Sequence, residues 1–236
     1  VPASGPDPEV GRRRVGLYGG SFNPIHIGHL RTAIEVREGA DLAEVWLVPV
    51  HVPAHKEGQG LADGRQRLRM IELGIAGLPG LRACDVELTR PGPSFTIDTV
   101  RILKQRHPEV DFTLVVGFDA FREIHTWKDY ARLFGECDLL VTSRPPDELH
   151  RSEDGGRVDA LPIAVTEAFC YDEQLRCYTH ASGHRLKFLQ VTALDISASF
   201  IRERIAAGGS VAFLTPEPVV DFIVRQRLYR VQRPSE

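Results

Sequence analysis

Two histidines stand three residues apart in the run Gly19-Gly20-Ser21-Phe22-Asn23-Pro24-Ile25-His26-Ile27-Gly28-His29, directly behind the apolar residues 15–18. Imidazole N–H groups donate hydrogen bonds to phosphate oxygens, and a protonated ring neutralises charge that builds up on them. A glycine turn between a strand and a helix adds backbone N–H groups and the positive end of the helix dipole. The spacing therefore predicts a strand, a tight turn and a helix opening near Gly28. In that arrangement Gly19, Gly20, Ser21, Phe22 and Gly28 shape a phosphate cradle, with His26 and His29 at its mouth. A lone His-x-x-His more often caps a turn or fills space; the glycine pair and the Asn-Pro turn beside it favour the cradle.

A second constellation lies far downstream, at Asp195-Ile196-Ser197-Ala198-Ser199-Phe200-Ile201-Arg202. Ser197 is a good N-cap, and Ile201 and Ile205 share a helix face, so a helix is expected just past the serine. Its first-turn N–H groups, the hydroxyls of Ser197 and Ser199 and the guanidinium of Arg202 would gather at one end, making a second anion cradle. Alone, this stretch reads more readily as an ordinary capped surface helix. A polyphosphate needs contacts at both ends, so the two stretches mean more together.

Elements that must position these residues are legible in the periodicity. Strands are expected at 14–18, 44–49, 82–88, 111–116, 138–143 and 187–191, and helices at 29–38, 63–76, 96–106, 127–134, 198–207 and 217–228. Alternation of strand and helix implies βαβ units, hence an α/β fold with a mostly parallel sheet and helices on both faces. Ligands on such sheets bind beyond the carboxyl ends of the strands, where the histidine motif falls. Residues 14–230 read as a single domain with an insertion around 145–185 of little regular structure. The proline- and glycine-bearing residues 1–13 and the stretch 231–236 read as tails.

A chain of 236 residues that is 42% hydrophobic can bury a full core. Its net charge of −3 provides no general basic field for a nucleic-acid backbone, so an anionic ligand must meet a local cluster. No run of eighteen apolar residues and no signal-peptide pattern is present, so neither membrane nor nucleic acid is an expected partner and a cytoplasmic location is expected. A homo-oligomer stays open. Cys84, Cys137, Cys170 and Cys177 lack the look of a disulfide framework and fit reduced thiols. Cys170, Cys177, His180 and His184 could in principle hold a zinc ion, but the first interval is wide and no second cysteine pair supports it.

Taken together, the motifs resemble the bacterial nicotinate-mononucleotide adenylyltransferases, a family of the nucleotidyltransferase superfamily with a His-x-Gly-His motif and a Rossmann-like fold. Residues 19–24 with His26-Ile27-Gly28-His29 match the superfamily's first motif, and residues 196–202 match its Ile-Ser-Ser/Thr-x-x-Ile-Arg motif. Pro53-Ala54-His55-Lys56, Ser94-Phe95-Thr96-Ile97-Asp98-Thr99, Gly117-Phe118-Asp119 with Thr126-Trp127, and the ending from Phe213 to Tyr229 resemble this family in particular. Three positions depart from its pattern: Val50-His51-Val52, Ala198 and Phe118.

The resemblance implies transfer of AMP from ATP to the phosphate of nicotinate mononucleotide. A phosphate is already an anionic nucleophile, so catalysis reduces to alignment and charge stabilisation. His26 and His29 are implied at the α-phosphate, Lys56 and Arg202 at the departing phosphates, and Ile196, Ser197 and Ser199 beside them. Mg2+ is expected to arrive on the triphosphate. For the flat, carboxylate-bearing acceptor ring, Trp127 is the stacking candidate and the backbone of Phe95 and Thr96 the carboxylate partner. Asp119 is expected either near the ribose or acceptor phosphate or as a turn cap. His55 reads as an exposed loop residue.

Other readings make distinct claims. A related transferase could use nicotinamide mononucleotide or phosphopantetheine. A class I aminoacyl-tRNA synthetase fragment also carries the His-x-Gly-His motif, but pairs it with a lysine-rich second motif absent here. A nucleotide-binding regulator could keep the fold without turnover.

Overall fold

The computed structural model describes residues 12–51, 61–143 and 161–230. Eight strands form one sheet: β1 (Arg13–Gly20), β2 (Glu44–Pro49), β3 (Leu81–Ala83), β4 (Val110–Gly117), β5 (Asp138–Ser143), β6 (Phe169–Asp172), β7 (Cys177–His180) and β8 (Arg185–Gln190). Their order is β3-β2-β1-β4-β5-β8-β7-β6. The first six run parallel, and β7 and β6 continue the edge antiparallel. The α-helices among the described residues are α1 (Ile27–Gly39), α2 (Gly64–Gly74), α3 (Thr96–Arg106), α4 (Phe118–Arg122), α5 (Tyr130–Leu133), α6 (Ile163–Thr166), α7 (Ala198–Ala206) and α8 (Glu217–Arg225). Among the described residues no helix is long and apolar enough to cross a membrane.

The apolar strands are explained by burial on both sides. Successive side chains alternate between faces, so Val15 and Leu17 of β1, Trp46 and Val48 of β2, and Phe112, Leu114 and Val116 of β4 share one core with Ile97, Val100 and Leu103 of α3. Their neighbours point the other way. Leu47 meets Leu30 of α1, Met70 and Ile71 of α2, and Val219 and Ile223 of α8, while Val45, Val115 and Leu140 meet Ala33 and Val36 of α1. This is the Rossmann-like arrangement expected, and the order reverses between β1 and β4. A crevice opens at such a reversal, beyond the strands' carboxyl ends.

Several expectations need correction. The third strand is only Leu81–Ala83, because the chain leaves the sheet into turns from Val86 onward. The helix expected over 127–134 is broken: a 3-10 turn at Ile124–Thr126 is followed by extended Trp127, left-handed Asp129 with φ 51° and then short α5. Helix α4, following Gly117, was not anticipated. Arg13, placed in the amino-terminal tail, opens β1; residues 1–11 and 231–236 lie outside the described residues.

The insertion is more regular than its composition suggests. Residues 161–185 carry α6 and the β6–β7 hairpin, turned by Asp172, whose carboxylate accepts the Gln174 and Leu175 N–H groups at 2.9 Å. Phe169, Tyr171 and Tyr178 lie on its core-facing side. Cys170 and Cys177 occupy the opposite side from His180, and His184 is turned to Asp138 at 3.1 Å. Among the described residues no three His, Cys, Asp or Glu side chains converge on a metal position. All four cysteines are free thiols.

Candidate active site

The β1–α1 turn is built around a buried phenylalanine. Phe22 is fully enclosed at φ 45°, and its ring lies edge-on to Tyr18 and His29, with centroids 5.7 and 5.0 Å apart. A Cβ on Gly20 would stand 3.0–3.3 Å from that ring, so any side chain there would press on the enclosed Phe22. Phe22 thus shapes the cradle from beneath and can offer a ligand only its backbone. Gly19 is exposed, with open space where a side chain would project.

Helix α1 begins at Ile27, beside the opening expected near Gly28 and two residues before the periodic stretch 29–38, which makes His26 its N-cap and places His29 in its first turn. The two rings stack at 3.6 Å and 29°. His29 Nδ1 accepts the His26 main-chain N–H at 3.3 Å, so the neutral ring carries its proton on Nε2, a donor suited to a phosphate oxygen. Gly28 is small because the His26 ring lies 3.1 Å from its would-be Cβ. Beyond that ring the Ile196 carbonyl is 3.8 Å from the same point, so the second motif stands against the first.

Arg202 joins the motifs directly. Its Nη1 donates to the Asn23 carbonyl at 2.9 Å and its Nη2 to Ser199 Oγ at 3.2 Å, leaving further N–H groups of the guanidinium for a ligand. Ser197 caps α7, accepting the Phe200 N–H at 3.1 Å, and its own proton can still be donated. Two helix N-termini, an imidazole pair and a guanidinium therefore gather around one turn, and all of them favour anions.

On the other side of Gly19 and Gly20 lies a cavity of about 230 Å³. Its walls come from β1, β2 and β4, and Ser94, Thr96, Thr99, Glu87 and Trp127 supply its polar and aromatic features. Thr99 Oγ1 donates to the buried Glu87 carboxylate at 2.7 Å. Ser94 Oγ accepts the His51 main-chain N–H at 3.1 Å. Phe95 and Asp119 do not line this cavity. Phe95 lies outside it with the Lys128 ammonium 4.6 Å above its ring, and Asp119 is exposed in the first turn of α4. Lys56 and His55 lie outside the described residues.

Residues 17–204, which include both motifs and the residues lining the cavity, match a family model described as cytidylyltransferase-like. A protein of Desulfatibacillum aliphaticivorans named "Probable nicotinate-nucleotide adenylyltransferase" is 43% identical over 92% of this chain and 99% of its own length. One of the same name from Syntrophotalea carbinolica is 40% identical over 94% and 100%. The chain belongs to the nicotinate-nucleotide adenylyltransferase family. The fold of a solved member, Plasmodium falciparum nicotinic acid mononucleotide adenylyltransferase complexed with NaAD, superposes with a TM-score of 0.64 at 19% identity, covering 92% of this chain and 97% of the other.

In this adenylyltransferase the turn is held by contacts that the sequence does not reveal. Asn23 Oδ1 accepts from the Ala62 N–H at 3.0 Å and from the Tyr229 hydroxyl at 2.7 Å. Thr215 Oγ1 donates to the Ile25 carbonyl at 2.7 Å, and Ile27 N–H donates to the Leu214 carbonyl at 3.0 Å. Arg67, on α2, donates to the Ser21 carbonyl from behind at 2.9 Å. Burial raises the Tyr229 phenol above the tyrosine range, so it stays protonated as a donor. Asn23 belongs to the Asn-Pro turn that the sequence marks, but its side-chain partners are not legible there; Arg67 looks like any arginine on an amphipathic helix.

Proposed function

We propose that the protein transfers AMP from ATP to nicotinate mononucleotide, forming nicotinate adenine dinucleotide and pyrophosphate. Arg202 bound to the Asn23 carbonyl is the observation that carries this reading, because it brings both phosphate motifs to one nucleotide. The names of the relatives support the acceptor.

An oxygen of the acceptor phosphate attacks the α-phosphorus of ATP, and the bond to the bridging oxygen of the β-phosphate breaks, releasing pyrophosphate. His29 Nε2–H and His26 stabilise charge on the α-phosphate oxygens while Arg202, Ser197, Ser199 and the Ile196 backbone hold the departing phosphates. Gly19, Gly20, Ser21 and Gly28 let the backbone approach. The acceptor ring stacks on Trp127 within the cavity, with its carboxylate met by the start of α3 at Phe95 and Thr96. Asp119, exposed in the first turn of α4, is the proposed contact to the ribose or the acceptor phosphate. The groups gathered at the turn are chiefly N–H and O–H donors, which suit phosphate and not a cation, so magnesium would be carried by ATP and would supply neutralisation of phosphate charge. Residues 14–230 act as one nucleotidyltransferase domain, working in the cytoplasm.

An acceptor panel tests the reading. With ATP and magnesium, pyrophosphate release is expected to be fastest with nicotinate mononucleotide, ahead of nicotinamide mononucleotide and phosphopantetheine. Release no greater than in an enzyme-free control with every acceptor sinks it.

A further inference from the structure

Arg67 is the most deeply buried charge among the described residues, 1% exposed, and no carboxylate is hydrogen-bonded to it. All its described hydrogen bonds go to main-chain carbonyls from three separate segments: Nε to Ala62 at 2.9 Å, Nη1 to Ser21 at 2.9 Å and a longer contact from Nη2 to His51 at 3.4 Å. Burying a guanidinium is costly, and a helix-surface arginine with no further duty stays in water.

Its three partners are informative. Ser21 belongs to the nucleotide turn. Ala62 donates its N–H to Asn23, the residue that Arg202 also holds. His51 donates its N–H to Ser94, a wall residue of the acceptor cavity. Burial lowers the Arg67 pKa from the arginine range, and the negative charge of Glu87, on that same cavity, is among the groups that oppose this. A single rigid fork thus spans the two places where the substrates are read, and only a planar five-donor group can do so.

We propose that Arg67 is a positioning residue that couples the nucleotide turn to the acceptor cavity, so that filling one site tightens the other. A shift of Ser94 on acceptor binding is passed through His51 and the guanidinium to Ser21, and a seated triphosphate acts in reverse. Coupling of this kind is reciprocal. The inference rests on the proposed pair of substrates.

Calorimetry with full-length protein tests it, using an ATP analogue with a non-cleavable α,β-methylene bridge, with and without saturating nicotinate mononucleotide. Wild-type protein is expected to bind the analogue at least about fivefold more tightly when the acceptor is present. Arg67→Lys keeps the charge but not the fork, and is expected to bring that ratio close to one. A merely structural role would lower Tm and the active fraction while leaving the ratio intact in folded protein. Should Arg67→Lys fail to fold, Ser94→Ala decides, since it removes the His51 anchor and leaves Arg67 in place. A wild-type ratio of one, or an unchanged ratio in the deciding variant, overturns the coupling. Failure of wild-type protein to bind the acceptor at all counts instead against the proposed function.

Discussion

The nucleotide turn and the acceptor cavity meet at Gly19 and Gly20 but are built on opposite plans. The turn is a hydrogen-bonded lattice: Asn23, His26, Arg67 and Thr215 are all at least 95% enclosed, Arg67, Arg202 and Thr215 pin its main-chain carbonyls, and Tyr229 holds the Asn23 side chain. The cavity is mainly an apolar slot between the sheet and α3 with a few polar groups in its lining. The difference follows from the ligands proposed for them. Phosphate is recognised by fixed N–H groups whose misplacement by an ångström is costly, whereas a flat ring is recognised by shape and one aromatic face.

Substitutions that break the contrast should separate by substrate. His29→Ala has the largest expected effect, a fall in kcat of roughly 10²–10³-fold with little change in Tm, because it removes a donor that acts on developing charge. Stopped-flow pyrophosphate release beside a melting curve checks both halves. Arg202→Ala is expected to cost about 10- to 100-fold in kcat/KM for ATP, the range for a lost hydrogen bond from a charged donor. KM for the acceptor should move less, and an equal rise in both would mean that the turn has collapsed as a whole. Trp127→Ala should raise the acceptor KM by about 10-fold, a stacking loss, while leaving the KM for ATP near wild type. A larger effect on ATP than on acceptor would remove the division between the two regions.

The smallest effect belongs to a site remote from both. Glu136 accepts from Arg101 at 2.7 Å and Lys104 at 3.2 Å, tying the approach to β5 to α3. Burial raises its pKa, but those hydrogen bonds outweigh burial and hold the carboxyl below the usual glutamate range. A depressed folded pKa contributes stability that is present above the unfolded value and lost as pH falls through the folded one. Glu136→Gln should therefore lower Tm slightly at neutral pH, and the two melting curves should converge in acid. A difference that grows on acidification would reverse the assignment, and either KM shifting would show that the site is not remote.

Local patterning explains how much was legible. Strands β1, β2, β4 and β5 stand out because burial on both faces makes them predominantly apolar, and α7 because Ser197 caps it. The β6–β7 hairpin hides behind a charged turn and one-sided burial, which makes only a four-residue alternation of Phe169 and Tyr171 with polar neighbours. The break in the helix expected over 127–134 comes from Asp129 in a left-handed conformation, which aspartate tolerates without advertising it.

Residue order alone determined the chemistry available: paired histidines after a glycine turn, a capped helix bearing Arg202, and an alternation that leads to a parallel sheet. Short-range spacing and periodicity carry such information because they act within a turn of helix or a single strand. Tertiary structure alone decided that Arg202 reaches Asn23, 179 positions away, that Arg67 turns inward to three carbonyls, and that Phe95 and Asp119 stay outside the cavity that Thr96 and Trp127 line. The reason is that a long side chain on an amphipathic helix has the same local sequence whether it meets water or a buried carbonyl, and only the packing of distant segments supplies the partner.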